Sequence, residues 1–494
     1  MRSRTKLIVI SAAGLVGLAA ASPMIANAAT QAPQKMFSVE SFGAKGDGKT
    51  DSAPATNAAI AAAARNGGGV ITFGAGTFKM AGTVHLASNT TINVPTGSTI
   101  TGSAGGYDHA ESNPNDKFQD YGHSHFHDAM FYGNGLSNVT FTGGGTITGG
   151  GHLITGNPGS GQADKIISLT NCKNLTLSKI TLSRGGHFAA LINGCDGVTS
   201  DHLTISTASD RDGWNIINSS NVKITNITDA ANDDALVFKS DWALGKRFTN
   251  QGHVRVTNAH LSARCCNALM FGSETCSDFT DYVFDTITIT GASKSGLGMV
   301  SMDGAKISDV HYRNITMSGV ASPIMQKIGT RKRCGDHPGV GSISNIEYTN
   351  ITGVGKGPFS PTIWGADAAH EPNHETFTNV KLTVPGGSGS TGTGVPSNNP
   401  GDYNPKSIGT RPAYGWYIHF ANNLTFTNSA VAFKSADSRA AVIANNASAL
   451  SFDTFSFNKS RGPNDFVFQS VSGYCVKGGS ATPRISATGS TKSC

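Results

Sequence analysis

Residues 138–142 read Asn-Val-Thr-Phe-Thr, and the same phrase returns as Asn174-Leu175-Thr176-Leu177, Asn221-Val222-Lys223-Ile224 and Asn314-Ile315-Thr316-Met317. Each copy is a polar turn followed by Val, Ile or Leu alternating with Thr, Ser or Lys. Further copies begin near Val198, Val254, Val283, Val310, Ile346, Val380, Leu424 and Leu450, and the shortest gaps between anchors are 23, 24, 26 and 27 residues. Alternation with a period of two over four to six residues specifies strands that bury one face. Recurrence every 20 to 30 residues, with no helical pattern between, specifies stacked coils, each burying its apolar face against the next. A propeller would need about four strands per 40–45 residues, and a sandwich would not explain the constant period. The expected fold is all-β, a right-handed parallel β-helix.

The rest of the chain is consistent with that expectation. Glycine (61 of 494 residues) and an apolar share of 38 % together make about half the chain, which is ordinary for a globular protein. Charged residues are only 14 %, which excludes charge-driven disorder and long ion-paired helices. Residues 52–65 (SAPATNAAIAAAAR) are the one clear helical stretch, bounded by Asp51 or Ser52 and by Gly67-Gly68-Gly69. They are expected to cap the N-terminal end of the solenoid. Residues 385–405, rich in Gly, Ser and Pro, read as a flexible loop between coils, because the strand phrase resumes at Leu424 and Leu450. Residues 29–494 are thus expected to form one domain.

Residues 1–28 read as a signal peptide: Arg2, Arg4 and Lys6, an apolar run from Leu7 to Ala21, then Ala26-Asn27-Ala28. Its removal takes away three positive charges and no negative ones, so the net charge falls from +6 to +3. No basic stripe or second long apolar run suggests nucleic acid or membrane as a partner. An exported monomer is expected. Eight cysteines and no Cys-x-x-Cys pair favour disulfides over metal, and no metal or cofactor is expected. Cys172 and Cys195, one coil apart, are placed to bridge adjacent coils, and Cys475 with Cys494 to staple the tail. The partners of Cys265, Cys266, Cys276 and Cys334 stay open. Asn-x-Ser/Thr recurs at Asn89, Asn138, Asn174, Asn226, Asn314, Asn350 and Asn423. The repeat generates this pattern, with Asn making the turn and Thr opening the strand.

Asp212 and Asp233 are 21 residues apart and Asp234 is adjacent. One coil of spacing places the three at equivalent points on neighbouring coils. Crowded carboxylates repel, so at least one holds its proton more tightly, and two carboxyls in different protonation states are what glycoside hydrolysis requires. A calcium site from the same acids is the competing use.

Here the chain resembles glycoside hydrolase family 28, the polygalacturonase-like enzymes of pectin breakdown, from about residue 37 to 360. Phe42-Gly43-Ala44-Lys45-Gly46-Asp47-Gly48 is similar to the family's opening phrase. Asp210-Arg211-Asp212-Gly213 stands where the family has Asn-Thr-Asp-Gly, and Asn232-Asp233-Asp234-Ala235-Leu236-Val237-Phe238-Lys239-Ser240 matches its Gly-Asp-Asp-x-φ-x-φ-Lys-Ser. The resemblance implies an inverting hydrolase, with Asp233 as general acid and Asp212 and Asp234 positioning and deprotonating water. Two departures stand out. Cys266-Asn267-Ala268 replaces the family's Gly-His-Gly, and Gly298-Met299-Val300 replaces the Arg-Ile-Lys that grips a uronate.

Candidate substrate-binding residues are Asn267, His187 and Lys327, the last within a basic run with Arg331, Lys332 and Arg333. Trp214 and Trp242 are candidates for stacking on sugar rings. His123-Ser124-His125-Phe126-His127-Asp128 reads as a loop. The function expected is hydrolysis of a pectin-type polysaccharide, galacturonan or rhamnogalacturonan. Two rivals stay open: a calcium-dependent lyase on the same scaffold and a non-catalytic carbohydrate-binding β-helix.

Overall fold

A computed structural model describes residues 34–389 and 392–494; the signal-peptide expectation falls on residues outside these. From Lys35 to Cys494 the chain is one compact unit, a right-handed parallel β-helix in which every strand-to-strand ladder is parallel. Coils stack about 4.8 Å apart, the spacing of hydrogen-bonded strands.

One rung of the ladder runs Val139, Leu175, Val198, Val222, Val254, Tyr282, Val310, Ile346, Glu375, Leu424, Leu450, Tyr474. Two anchors of the sequence pattern therefore move. Val283 gives way to Tyr282, and Val380 pairs with Ile351 one turn further on, leaving the rung to Glu375. An aromatic and a carboxylic acid interrupt the Val/Ile/Leu signature there, so the pattern slid to the nearest aliphatic residue. The Glu375 carboxyl is 1 % exposed, and burial pushes its pKa up to about 8. The folded chain thus binds this proton more tightly than the unfolded chain, and stability is expected to fall as pH rises from 4.5 toward 8. Glu375→Gln is expected to remove this slope, raising the unfolding temperature at pH 8 and leaving it unchanged near pH 4. An equal shift at both values would contradict it.

Each recurring Asn supplies the bend between strands. Asn138, Asn174, Asn221, Asn314, Asn350 and Asn379 all have φ between 54° and 58°, the left-handed region that Asn tolerates better than most residues. Their amides also stack coil on coil: Asn174 donates to Asn138 (2.9 Å), Asn350 to Asn314 (3.1 Å) and Asn379 to Asn350 (2.9 Å). The interior carries a parallel aromatic ladder, Phe284, Tyr312, Tyr348, Phe377, Phe426 and Phe452, with successive ring centroids 5.1, 4.9, 4.9, 4.4 and 4.8 Å apart.

The helix forms over Ala53–Arg65. It lays Ala55, Ala59, Ile60 and Ala63 against the first coils and covers apolar surface that would otherwise face water. Cys172–Cys195 joins neighbouring coils, with Cα atoms 4.4 Å apart, and Cys475–Cys494 ties the tail. Cys276 pairs with Cys334, leaving Cys265 and Cys266 as thiols. After Gly386 the chain leaves the solenoid and re-enters at Ala413, whose strand pairs with Thr362–Trp364 below and Ala440–Asp453 above.

Candidate active site

The face that carries the acids is built from strands Phe188–Asn193, Asp212–Ile217, Leu236–Ser240 and Leu269–Thr275. Register aligns Phe188 with Asp212, Trp214 with Leu236, and Leu236 with Leu269. Counting two residues back from the Trp214, Leu236 and Leu269 rung, Asp212, Asp234 and Asn267 stand one above another where the strands begin. Gly213 follows Asp212 because the buried Asp229 carboxylate sits beneath it: a Cβ on Gly213 would lie 2.2 Å from Asp229 Oδ1.

Asp212, Asp233 and Asp234 open into one cleft of about 730 Å³, together with His187. Their surroundings differ. Asp212 is buried, accepts from Asn215 Nδ2 (3.1 Å) and lies 3.8 Å from Lys239 Nζ. Burial pushes its pKa up to about 8, against the pull of Lys239. Asp234 receives both the backbone N–H (3.1 Å) and the side-chain amide (2.8 Å) of Asn267. Burial and the Asp233 charge still raise its pKa. Asp233 goes the other way. Burial raises it, but the Cys266 thiol, the Arg211 guanidinium and Lys294 outweigh that and hold it below the usual carboxylate range. Arg211 reaches Asp233 Oδ2 through Nε (3.2 Å) and Nη2 (3.0 Å). The trio thus contains one ionised acid and two that hold protons more tightly, a set able both to donate and to accept protons near neutral pH.

The other candidates separate. Asn267 is fully buried and aims Asp234 rather than facing a ligand. His187 lines the cleft, stacked on Phe188 at 4.2 Å; burial lowers its pKa to about 3, so the ring there is neutral. Lys327 is not a cleft residue. Its ammonium is completely buried and donates to Asn398 Oδ1 (2.7 Å), Asn399 O (2.7 Å), Asp402 O (2.7 Å) and Ser407 Oγ (2.8 Å). It pins the loop that carries Gly401, Asp402 and Tyr403 into the cleft wall. The end of the stretch expected to be a flexible loop is therefore anchored, because a buried cation needs every acceptor in reach. Lys327→Met is expected to release this loop, seen as faster proteolytic cleavage between residues 396 and 408 and a higher KM. Unchanged cleavage would show that Arg411, which bonds the carbonyls of Pro405 and Ile408 (2.8 Å each), suffices alone.

Trp214 is wholly inside the core and cannot stack on a sugar, and Trp242 packs against Gly335 and is not among the residues that line the cleft. The stretch from His123 is not simply loop. Tyr121–Ser124 is a short helical turn, and it places His123 in the cleft with Nε2 3.1 Å from Lys239 Nζ.

Several cleft residues had no role in the sequence pattern. Lys239 lies between Asp212 and Glu274 (3.5 Å), and both Lys239 and Glu274 are almost fully buried. Arg331 and Arg333, from the basic run, converge on Glu274 (3.7 and 2.8 Å); Arg331 also bonds Asp303, and Arg333 bonds Asp120. Gly298, Met299 and Val300 contribute nothing to the cleft, and Met299 and Val300 are buried. Positive charge reaches the cleft from the Arg331–Arg333 turn instead.

The sequence profile of glycosyl hydrolases family 28 matches residues 72–400. The chain belongs to this family. Among curated relatives of this family 28 chain, the endo-polygalacturonase of Pectobacterium carotovorum subsp. carotovorum is 28 % identical over 225 residues, 44 % of this chain and 52 % of that protein. The chain thus matches about half the length of that relative. The polygalacturonase of Malus domestica is 22 % identical over 347 residues, 66 % of this chain and 70 % of its own length. Among solved structures, the family 28 exopolygalacturonase of Yersinia enterocolitica superposes with a TM-score of 0.56 at 18 % identity, covering 91 % of this chain and 79 % of that one. The family 28 solenoid is common to both.

Proposed function

We propose that this chain is an exported hydrolase that cleaves glycosidic bonds of a pectin-type polysaccharide, galacturonan or rhamnogalacturonan, with inversion at the anomeric carbon. The observation that carries the proposal is the convergence of Asp212, Asp233 and Asp234, with unequal proton affinities, in one open cleft of a family 28 chain. Asp233 is the general acid that protonates the leaving oxygen. Asp212 and Asp234 hold and deprotonate the attacking water, which inversion places in a gap of about 6.5–9.5 Å between acid and base. In the free cleft Arg211 keeps Asp233 ionised. A leaving oxygen docked against Asp233 displaces that guanidinium, so a proton held by the Asp212–Asp234 pair in the free cleft passes to Asp233 and leaves that pair a carboxylate with which to deprotonate water. Asn267, which cannot change charge, fixes Asp234 by two hydrogen bonds where the family's histidine would stand.

Arg331 and Arg333 are the proposed grip on an acidic sugar. Arg333 is partly exposed and its partner Asp120 is exposed, so a substrate carboxylate can replace Asp120 at little cost. The names of the relatives support a polygalacturonan-like substrate, and three disulfides support an oxidising compartment.

The test is a panel of pectic and neutral polysaccharides followed by anomeric NMR and mass spectrometry of the products. Saturated products that first appear with inverted configuration are expected. Retained configuration would refute the mechanism, unsaturated products would identify a lyase, and binding without products a carbohydrate-binding protein.

A further inference from the structure

Beside Asp233 lies a pair of thiols that neither gives nor takes a proton in the proposed reaction. Cys265 and Cys266 are adjacent, and they are the two cysteines outside a disulfide. Cys265 is exposed and Cys266 is buried, with its thiol against both Asp233 and Cys265. A carboxylate oxygen of Asp233 and the two sulfur atoms all lie within 4.8 Å of one another. Both hydrogen bonds from Arg211 end on Asp233 Oδ2, and the Cys266 thiol also hydrogen-bonds the Asp233 carboxylate, so a cation would replace that thiol proton. The backbone holds the pair in place, since Cys265 N–H donates to Asn232 O and Lys294 N–H to Cys266 O.

We propose that Asp233, Cys265 and Cys266 form a binding site for a thiophilic divalent cation, with two thiolates and one carboxylate oxygen as ligands. Two sulfurs select zinc or cadmium over magnesium and calcium, which demand oxygen. Zinc–sulfur bonds of about 2.3 Å and zinc–oxygen bonds of about 2.0–2.2 Å place tetrahedral ligands roughly 3.5–3.8 Å apart. A turn of the exposed Cys265 side chain closes the difference. Of the three ligands, Asp233 lines the cleft and Cys265 is exposed, which gives a cation access to the site. Binding releases two thiol protons and forms two metal–sulfur bonds and one metal–oxygen bond, with no change of oxidation state. Two thiolates and a carboxylate carry three negative charges, so a dication leaves one. Arg211, bonded to Asp233, balances that remaining charge, while Lys294 donates to Tyr403 and faces Asp234. The adjacent pair escapes the usual spacing of metal-binding cysteines, and so it carries no recognisable motif.

The bound metal holds Asp233 away from a substrate, so the site is inhibitory. That consequence rests on Asp233 being the general acid; the binding does not. The experiment is calorimetric titration of the full chain with cadmium, followed in the ultraviolet for the thiolate-to-cadmium absorption band. One cadmium per chain is expected, with close to two protons released, the absorption band present and no response to magnesium. Cys265→Ser and Cys266→Ser, with folding checked by circular dichroism, are each expected to weaken binding at least ~10-fold and to reduce the band. Absence of the band in the wild-type chain, or a band that survives both substitutions, would overturn the site. So would a mass two hydrogens lighter than three disulfides require, since Cys265 and Cys266 would then be bridged to each other. Reducing-end release is expected to fall in step with cadmium occupancy. Binding with an unchanged rate would keep the site and refute Asp233 as the acid.

Discussion

The Asp233→Asn chain is expected to fold normally and to release reducing ends about 10²–10⁴-fold more slowly than wild type, the range that loss of a general acid commonly costs. Asparagine matches aspartate in shape but has no acidic proton to give. Its oxygen can still accept from Arg211, so the geometry of the turn survives. The side chains of Asp233 and Arg211 are 20 % and 38 % exposed, so the lost ion pair is screened by water and its contribution to stability is small. The loss should therefore appear in kcat rather than in KM or the unfolding temperature. Substrates with a good leaving group need little protonation, and on these Asp233→Asn should recover much of its rate while Asp212→Asn and Asp234→Asn should not. Undiminished release from the natural polymer by Asp233→Asn would refute the role assigned to it.

The solenoid was legible because its physics repeats. Each coil needs a left-handed turn, which Asn tolerates, and an alternating strand, which Val, Ile and Thr favour, so a short phrase recurs where the geometry recurs. The exceptions have local causes. Tyr282 and Glu375 occupy the Val/Ile/Leu rung, and no pattern of aliphatics could reveal them. The three aspartates were legible for the same reason as the strands, since one coil of spacing becomes one patch. What could not be read was anything contributed across many coils. Lys327 sits in a basic run, which pointed to substrate binding, but the loop from Asn398 to Ser407 folds back 71–80 residues later and surrounds its ammonium with oxygen. His123 reaches Lys239 across 116 residues. The one signal available was Glu274 itself: an acid near the end of a strand that begins Leu269-Met270-Phe271 and is buried throughout needs a buried partner.

That partner sets up the second large effect. Lys239→Met is expected to destabilise the fold by about 3–5 kcal/mol near neutral pH, the usual consequence of removing one member of a buried charged set. Lys239 lies 3.5 Å from Glu274 and 3.8 Å from Asp212, and all three are at least 95 % buried as side chains. Methionine fills the volume but leaves Glu274 with Arg331 and Arg333 on one side and an apolar stem on the other. The pH dependence identifies the cause. Burial raises the Glu274 pKa, but Lys239, His123, Arg331 and Arg333 outweigh it and depress that pKa well below its ordinary value of 4.5. Stability from a depressed carboxyl is complete above the unfolded pKa and drains as pH falls through the folded one. The penalty of Lys239→Met should thus be full at pH 7 and shrink as the medium is acidified below 4.5, because a protonated Glu274 no longer needs the ammonium. Urea unfolding of both chains at a series of pH values measures this directly. A penalty that stays constant with pH would mean that Lys239 contributes by packing alone. If the penalty does vary with pH, Glu274→Gln should rescue the variant in part: Arg331 and Arg333 both approach Oε1, so loss of Lys239 leaves the buried Oε2 without a cation, and the double substitution Lys239→Met/Glu274→Gln is expected to be more stable than Lys239→Met by itself.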